Sequence, residues 1–202
     1  MNARDKLLEA AVKLVRTSGF AGTSVDQLCA EAGVTKGAFF HHFASKEALG
    51  VAAADYWSAS TSAFFAGAPY HDHADPLERV LGYIDFRIGL IGGPAESFSC
   101  VAGTLIQEAF RGSAAIRLAC EASIMGNARA LESDIAAAMT QHGVTGTSAA
   151  SLARHVQTVI QGSFILAKTQ DDGAAADLAR EALGHLRRYF ELLFNKENSD
   201  AG

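Results

Sequence analysis

Residues 23–49 read TSVDQLCAEAGVTKGAFFHHFASKEAL, and the helix-capping residues spaced through this stretch constrain the fold more than any other feature of the chain. Ser24, followed by a glutamine three positions later, has the spacing of a capping box and predicts a short helix directly after it. Thr35 and Ser45 can each cap a further helix. Because Gly33 supplies a tight turn between the first two of these helices, the stretch predicts a helix-turn-helix.

Helical periodicity continues through the rest of the chain. Apolar residues recur at intervals of three and four, and the clearest interruptions are GAPYHDHADP at residues 67–76 and IGGPAESF at residues 91–98. No alternating pattern is long enough to predict a strand. The sequence therefore predicts an all-α fold of about nine helices, with the helix-turn-helix over about residues 25–43.

The net charge of −5 is unevenly distributed along the 202 residues. Residues 1–50 carry six Lys or Arg against five Asp or Glu, whereas the remaining residues carry eleven against seventeen. Affinity for phosphate depends on local rather than total charge. The charge distribution therefore allows nucleic-acid binding by residues 1–50 only.

Cysteine content and hydropathy exclude several classes of protein. Cys29, Cys100 and Cys120 are an odd number without a C-x-x-C spacing, which argues against a disulfide framework and against a zinc site. No apolar stretch reaches the roughly 18 residues of a membrane-spanning helix, and the N-terminal apolar run is interrupted by charges, unlike a signal peptide. We expect a cytoplasmic protein with no membrane association, no metal and no cofactor.

The second helix of a helix-turn-helix enters the major groove of DNA, which is about 12 Å wide, and the residues of KGAFFHHF suit that role. Lys36 provides a cation in the first turn, Gly37 lets the backbone approach closely, and Ala38 offers a methyl group to thymine. Phe39 and Phe43, four residues apart, are predicted to form the packing side. The other faces carry Phe40, His41 and His42.

Donors to DNA phosphates are predicted at the neighbouring helix starts. Thr23 and Ser24 before the first short helix, and Lys46 after the second, can supply hydroxyl, amide and ammonium groups. Adjacent histidines alone are typical of exposed polar residues, and a phenylalanine cluster alone is typical of core. The ordered series of caps, glycine turn and leading lysine is what favours DNA binding.

GFAGTSVDQLCAEAGVTKGAFFHHFASKEAL, residues 19–49, resembles the N-terminal DNA-binding segment of the TetR family of transcriptional regulators. The resemblance includes the glycine turn, the KG start of the recognition helix, HHF and SKEAL. It implies a DNA-binding domain of residues 1–50 joined to a ligand-binding and dimerisation domain of residues 51–202. The family's DNA contacts carry over to the matching positions Thr23, Ser24, Thr35, Lys36, Gly37, Ala38, His41 and Lys46.

One departure from the family pattern concerns Phe40. The family very often has a tyrosine here whose hydroxyl meets a phosphate, so a hydrogen bond of about 1 kcal/mol or somewhat more is absent. Phe40 either packs against sugar and phosphate or contributes less than its counterpart. Ala44 also replaces a frequent proline, without consequence for the fold.

The second part of the chain is predicted to bind a small-molecule inducer and to form a homodimer through its last two helices. Apolar residues on those helices, among them Ile160, Phe164, Leu186 and Phe190, exceed what a monomeric core would need. A pocket would be lined by aromatic and a few polar side chains, each of which is alternatively ordinary core. The candidates are Trp57, Phe64, Tyr83, Phe86, Phe98, Cys100, Gln107, Phe110 and Phe164.

CVAGTLIQE, residues 100–108, resembles a segment of a TetR subgroup in which some members sense electrophiles or oxidants through the cysteine. Cys100 is either such a sensor or an inert buried thiol. His71, Asp72 and His73 lie in a row but are interpreted as a solvated loop, since metal ligands usually converge from separate elements.

No nucleophile elbow, phosphate loop or paired carboxylates predict catalysis, so an enzyme is not expected. The sequence predicts a ligand-responsive regulator, specifically a repressor released from a pseudo-palindromic DNA operator by a small molecule. The alternative is a helical small-molecule-binding or enzymatic protein without DNA binding.

Overall fold

The computed structural model describes residues 1–195, and the regular structure in that range is entirely helical. The all-α prediction is confirmed. Residues 1–195 contain ten α-helices where about nine were predicted, because the interruption at residues 91–98 contains a one-turn helix. In chain order the helices are α1 Ala3–Ser18, α2 Val25–Ala32, α3 Lys36–His42, α4 Lys46–Ala66, a 3₁₀ turn at Pro69–Asp72, α5 Pro76–Gly89, α6 Ala95–Phe98, α7 Val101–Ala109, α8 Ala114–His142, α9 Ala149–Ala167 and α10 Asp172–Asn195.

The chain forms two compact units that differ from the predicted division at residue 50. The first unit contains residues 1–63 and 99–124, and the second contains residues 64–98 and, of the residues that the structure describes, 125–195. Residues 99–124 belong to the first unit because α7 packs against α1. The assignment of DNA binding to residues 1–50 and ligand binding to residues 51–202 stays a prediction.

Side-chain caps set the short helices of the first unit. The Ser24 hydroxyl oxygen accepts from the backbone amide of Gln27 at 3.2 Å, and the side-chain oxygen Oε1 of Gln27 accepts from the backbone amide of Ser24 at 2.7 Å, which completes a capping box. Gly33 ends α2 in the left-handed conformation with φ 62°, which favours glycine. Thr35 caps α3 by accepting from the Ala38 amide at 3.2 Å. The predicted helix-turn-helix is confirmed at the level of structure.

The core of the first unit joins α1, α2, α3 and the start of α4. The residues that form it are almost fully buried and apolar, and Phe39 at the centre is 0% exposed. They are Leu7, Leu8, Ala10, Ala11, Leu28, Cys29, Ala32, Phe39, Phe43, Leu49 and Ala53.

In the second unit, α10 packs along α9 and also against α5. Ile160, Phe164, Leu186 and Phe190 are buried within the chain itself. The sequence argument that these side chains are surplus to a monomeric core is therefore wrong, because α9 and α10 use them to cover each other and α5. Within the described residues, no helix is both long and apolar enough to cross a bilayer.

Candidate nucleic-acid interface

Helix α3 buries one face and exposes the other. Phe39 and Phe43 are 0% and 5% exposed, which confirms the predicted packing side. Thr35, Lys36, Gly37, Phe40 and His41 are exposed, and Ala38 is half-buried. The groove-facing set predicted from the sequence therefore lies on the solvent side of the recognition helix.

Lys36 is paired with a carboxylate of the preceding helix. Its ammonium lies 2.7 Å from an oxygen of Asp26, and both side chains are largely exposed. The hydrogen bond to Asp26 and the attraction of its charge raise the pKa of Lys36. The cation is thus protonated, and its predicted contact with DNA would require it to leave Asp26.

The start of α2 offers donors to phosphate, with one exception. Ser24 is exposed, and because its oxygen already accepts from Gln27, its hydroxyl hydrogen is left to donate. Thr23, by contrast, is 3% exposed and its hydroxyl donates to the Gly19 carbonyl at 2.7 Å. The Thr23 side chain closes the turn, so its phosphate contact stays a prediction that requires this hydrogen bond to exchange.

Lys46, at the first position of α4, lies against the turn between α1 and α2. Its ammonium donates to the Ala21 carbonyl at 3.3 Å and lies 4.6 Å from the ring centre of Phe20. Partial burial lowers the pKa of Lys46, and the nearby carboxylate of Glu108 opposes that effect. The predicted backbone cation is therefore held beside the N-terminal end of α2.

The aromatic side chains of α3 form two edge-to-face contacts, one between the buried Phe39 and the exposed Phe40 and one between two exposed histidines. Phe40 is 55% exposed and makes an edge contact with Phe39, with ring centres 5.1 Å apart. The rings of His41 and His42 meet edge to face at 4.9 Å, and both side chains are exposed. Among residues 1–195 no group of three or more His, Cys, Asp or Glu side chains could hold a metal ion.

The predicted ligand-pocket residues divide between the two units. In the second unit, Phe64 contacts Phe86 at 5.4 Å, with Tyr83 reached through the neighbouring Phe65, and Phe98 contacts Phe164 at 5.7 Å. The first unit holds the others: Trp57, which stacks with Arg16 at 5.4 Å, the buried Cys100, and the exposed Gln107 and Phe110.

Phe64, Phe65, Tyr70, Tyr83 and Phe86 form an aromatic cluster in the second unit, and the sequence analysis missed two polar partners of Tyr83 within it. The hydroxyl of Tyr83 accepts from Arg87 Nε at 3.0 Å and from the buried Gln157 Nε2 at 3.4 Å. The Arg87 guanidinium also stacks over Phe65 at 4.0 Å from the ring centre. Two signals pointed to these residues: Arg87 follows Tyr83 by four positions on α5, and Gln157 interrupts the apolar face of α9.

Tyr70 belongs to the same aromatic cluster. Its hydroxyl donates to the Phe65 carbonyl at 3.3 Å, and its ring meets that of Tyr83 edge to face at 5.6 Å. Burial raises the pKa of Tyr70 to about 12. The phenol is therefore neutral at physiological pH.

The two cysteines of the first unit that follow residue 99 differ in surroundings. Cys100 is the N-cap of α7, and its sulfur accepts from the Gly103 amide at 3.4 Å, while the side chain is 9% exposed. Cys120 is 0% exposed, and burial raises its pKa to about 12. Cys100 is thus the less deeply buried of the two thiols and lies at a helix start, whereas Cys120 is enclosed in the core.

An α-helical chain whose capped helix-turn-helix presents a lysine and a glycine on an exposed recognition helix has the construction of a DNA-binding protein. Comparison with known families agrees. Residues 7–53 match the family described as bacterial regulatory proteins, tetR family, and residues 76–182 match the C-terminal domain of LmrA/YxaF-like transcriptional regulators. The chain belongs to the tetR family of bacterial regulatory proteins and is a helix-turn-helix transcriptional regulator.

Individual relatives show where the similarity lies. The HTH-type transcriptional regulator YxaF of Bacillus subtilis is 23% identical over 93% of this chain and 96% of its own length. The repressor NemR of Escherichia coli K12 is 43% identical over 51 residues, which cover 25% of this chain and 26% of NemR. The regulator YerO of B. subtilis is 37% identical over 54 residues, covering 27% of this chain and only 19% of YerO.

Solved structures share the fold along nearly the whole chain. The reduced form of E. coli NemR superimposes with a TM-score of 0.78 at 23% identity, covering 93% of this chain and 96% of NemR. A TetR transcriptional regulator from Chloroflexus aurantiacus gives a TM-score of 0.78 at 22% identity, covering 94% of each chain. At these identities the similarity establishes the fold.

Proposed function

We propose that this regulator is a repressor that binds a pseudo-palindromic operator as a homodimer and is released when a small molecule binds its second unit. The observation that carries the proposal is the exposed face of α3, where Lys36, Gly37 and His41 stand opposite the buried Phe39 and Phe43. A helix with this division can enter the major groove while its apolar side stays fixed to α1 and α2.

Base contacts would come from the first turn of α3. A Cβ at Gly37 would meet only the Thr35 hydroxyl oxygen, at 3.7 Å, so the helix surface there is open to close approach by DNA. Lys36 can donate to a guanine edge or a phosphate, and the Ala38 methyl can meet a thymine methyl. His41, one turn later, extends the same exposed side.

Phosphate contacts would bracket this helix. Ser24 lies at the N-terminal end of α2, where backbone amides and the helix dipole favour an anion. Lys46 lies at the start of α4 beside the same turn. Together they would position α3 without selecting a sequence.

Dimerisation is supported by the family and by side chains that α9 and α10 leave exposed. Ile165, Leu166, Tyr189 and Leu192 are between 42% and 54% exposed, which is unusual for four large apolar residues on one helix pair. The ring centres of Tyr189 on α10 and His155 on α9 are 5.0 Å apart, so the two helices remain in contact at their solvent-exposed side. A four-helix interface across a two-fold axis would cover these side chains.

The inducer would bind near the aromatic cluster of the second unit formed by Phe64, Phe65, Tyr70, Tyr83 and Phe86. Phe64 is 52% exposed, which leaves an apolar surface beside a buried polar group. A ligand shifts the regulator from DNA only by binding the DNA-incompatible conformation more tightly. Half-sites about one helical turn apart make DNA binding sensitive to the separation of the two recognition helices.

The proposal is tested by Lys36→Ala with Lys13→Ala as its matched control. Lys13 is likewise exposed on the first unit and paired with a carboxylate of α2, with its ammonium 2.6 Å from Glu31. The Lys36 variant should weaken binding to a selected operator by about tenfold or more and reduce the salt dependence by about one counterion. Equal affinities for the two variants would contradict the proposed role of Lys36 in DNA binding. Absence of salt-dependent DNA binding by the wild type would favour the alternative, a small-molecule-binding or enzymatic protein without DNA binding.

A further inference from the structure

The turn that connects α1 to α2 is held by a carboxylate from a distant part of the chain. Glu108, near the end of α7, accepts a hydrogen bond from the amide of Ala21 at 2.5 Å. The two residues lie 87 positions apart. Ala21 falls in the part that matches the tetR N-terminal family, and Glu108 falls in the part that matches the LmrA/YxaF-like C-terminal domain.

The carboxylate lies close to Gly19, the glycine that ends α1, and a side chain at position 19 would displace it from this contact. A Cβ on Gly19 would lie 2.5 Å from Glu108 Oε1, and Gly19 has φ 76°, a conformation that favours glycine. Glycine at this position therefore makes room for the carboxylate as well as ending α1. The contact therefore depends on a residue from each segment, Gly19 in the turn and Glu108 in α7.

Both polar backbone groups of Ala21 form a hydrogen bond to a charged side chain, and the two charges are opposite in sign. Glu108 accepts from its amide, while the Lys46 ammonium donates to its carbonyl at 3.3 Å. A carboxylate and an ammonium so placed attract each other as well as the peptide groups, which makes both hydrogen bonds stronger than neutral ones. Lys46 is also a proposed phosphate contact, so the same turn joins Glu108 to the DNA-binding surface.

Further contacts tie the segment after Glu108 to the start of α4. Ser113 donates to the carboxylate of Glu47, and a Cβ on Gly50 would lie 2.9 Å from the Phe20 ring and 3.1 Å from Ile116. The segment from residue 108 to residue 116 thus packs against the turn and α4 together. These contacts surround the residues that immediately precede Ser24, the cap of α2.

We propose that Glu108 is a positioning residue whose hydrogen bond to Ala21 holds the N-terminal end of α2 in its DNA-binding position and thereby strengthens operator binding. This inference rests on the proposed function. The hydrogen bond is exposed to solvent, so water can take the place of the carboxylate when Glu108 is replaced. Loss of the contact should therefore leave the unit folded.

The test compares Glu108→Ala and Glu108→Gln in the full-length protein with Glu9→Gln, which removes the same charge from an exposed position of α1. Two quantities are measured: hydrogen exchange at the Ala21 amide, and affinity at fixed salt for a DNA fragment selected by the wild type. Thermal unfolding checks that each variant is folded.

Glu108→Ala should speed exchange at Ala21 and reduce affinity by about 5- to 100-fold, the usual range of coupling between sites. Glu108→Gln should be intermediate, because its amide oxygen is a neutral acceptor. Glu9→Gln should leave exchange unchanged and bind DNA slightly more tightly, since a negative charge is lost. Affinity should thus fall in Glu108→Ala and rise slightly in Glu9→Gln, and this difference in direction distinguishes a positioning role from the loss of a negative charge.

Unchanged affinity in a folded Glu108→Ala variant would overturn the inference, whether or not exchange at Ala21 increases. The proposed function would still stand in that case, because the wild type binds its operator. Failure of the wild type to retain any DNA fragment would instead contradict the proposed function and this inference with it.

Discussion

The ammonium of Lys36 and the carboxylate of Asp26 form an ion pair of 2.7 Å across the turn of the helix-turn-helix. Asp26 lies in the first turn of α2, so its charge also faces the dipole of that helix. In the free protein, Asp26 is the ion-pair partner of the Lys36 ammonium, the group that is proposed to contact DNA. If Lys36 contacts DNA as proposed, the negative charge of Asp26 competes with the operator for it.

Replacing Asp26 by Asn should tighten DNA binding. Exposed ion pairs are weak, so an increase in affinity of about two- to fivefold is expected, largest at low salt. Fluorescence anisotropy with a labelled operator over a salt series measures it. Glu31→Gln is the matched control, because Glu31 pairs with Lys13 rather than with the recognition helix. A weaker or unchanged affinity in Asp26→Asn would show that Lys36 does not contact DNA.

Phe40→Tyr should increase operator affinity, because a hydroxyl on this 55% exposed ring can donate to a phosphate. A gain of about fivefold corresponds to one hydrogen bond of about 1 kcal/mol. Phe39→Tyr is the contrasting variant: its ring is 0% exposed, so the added hydroxyl would be buried and should destabilise the first unit by about 1 to 3 kcal/mol. Operator titration and chemical denaturation separate the two effects. A loss of affinity in Phe40→Tyr would indicate that the ring packs on the sugar-phosphate backbone.

Leu166→Asp and Leu192→Asp should disrupt the proposed dimer. These leucines are 54% and 46% exposed on α9 and α10, so a charge there costs little in the monomer but much in an apolar interface. Sedimentation should show at least about a tenfold weaker dimer. Leu118→Asp, at a 58% exposed position of the first unit, should leave the dimer intact. Equal dimerisation in all three variants would place the interface elsewhere.

Cys100 should react with a small alkylating electrophile well before Cys120. The Cys100 sulfur faces the Gly103 amide at the start of α7, whereas burial raises the Cys120 pKa to about 12, so its reactive thiolate is absent until strongly alkaline pH. Mass spectrometry of timed reactions measures the order. If Cys100 is a sensor, alkylation should release operator DNA from the wild type and fail to do so from Cys100→Ser. Release that persists in Cys100→Ser would identify Cys100 as a structural thiol.

The local features of the DNA-binding region could be predicted from the sequence because caps and turns depend on neighbouring residues. Ser24, Gly33 and Thr35 act as predicted, each through a contact within a few positions. The burial of Phe39 and Phe43 followed from helical spacing. By contrast, α6 escaped prediction because it is four residues long and lies in a segment rich in Gly and Pro.

Long-range features could not be predicted in the same way. The apolar residues of α9 and α10 gave no sign of whether they meet their own chain or a partner, and the structure buries Ile160 and Phe190 within the chain. The Glu108 contact spans 87 positions and depends on how α7 packs against α1. The predicted pocket residues likewise divide between two units because aromatic residues are used in both cores.

The central claim is tested most directly by collecting the DNA fragments that the purified full-length protein retains at a stated salt concentration. The retained fragments should share two related half-sites about one helical turn apart, and affinity for them should fall steeply as salt increases. The Lys36→Ala variant should retain few of them. Retention without a shared sequence, or no retention by the wild type, would contradict a sequence-specific operator-binding regulator.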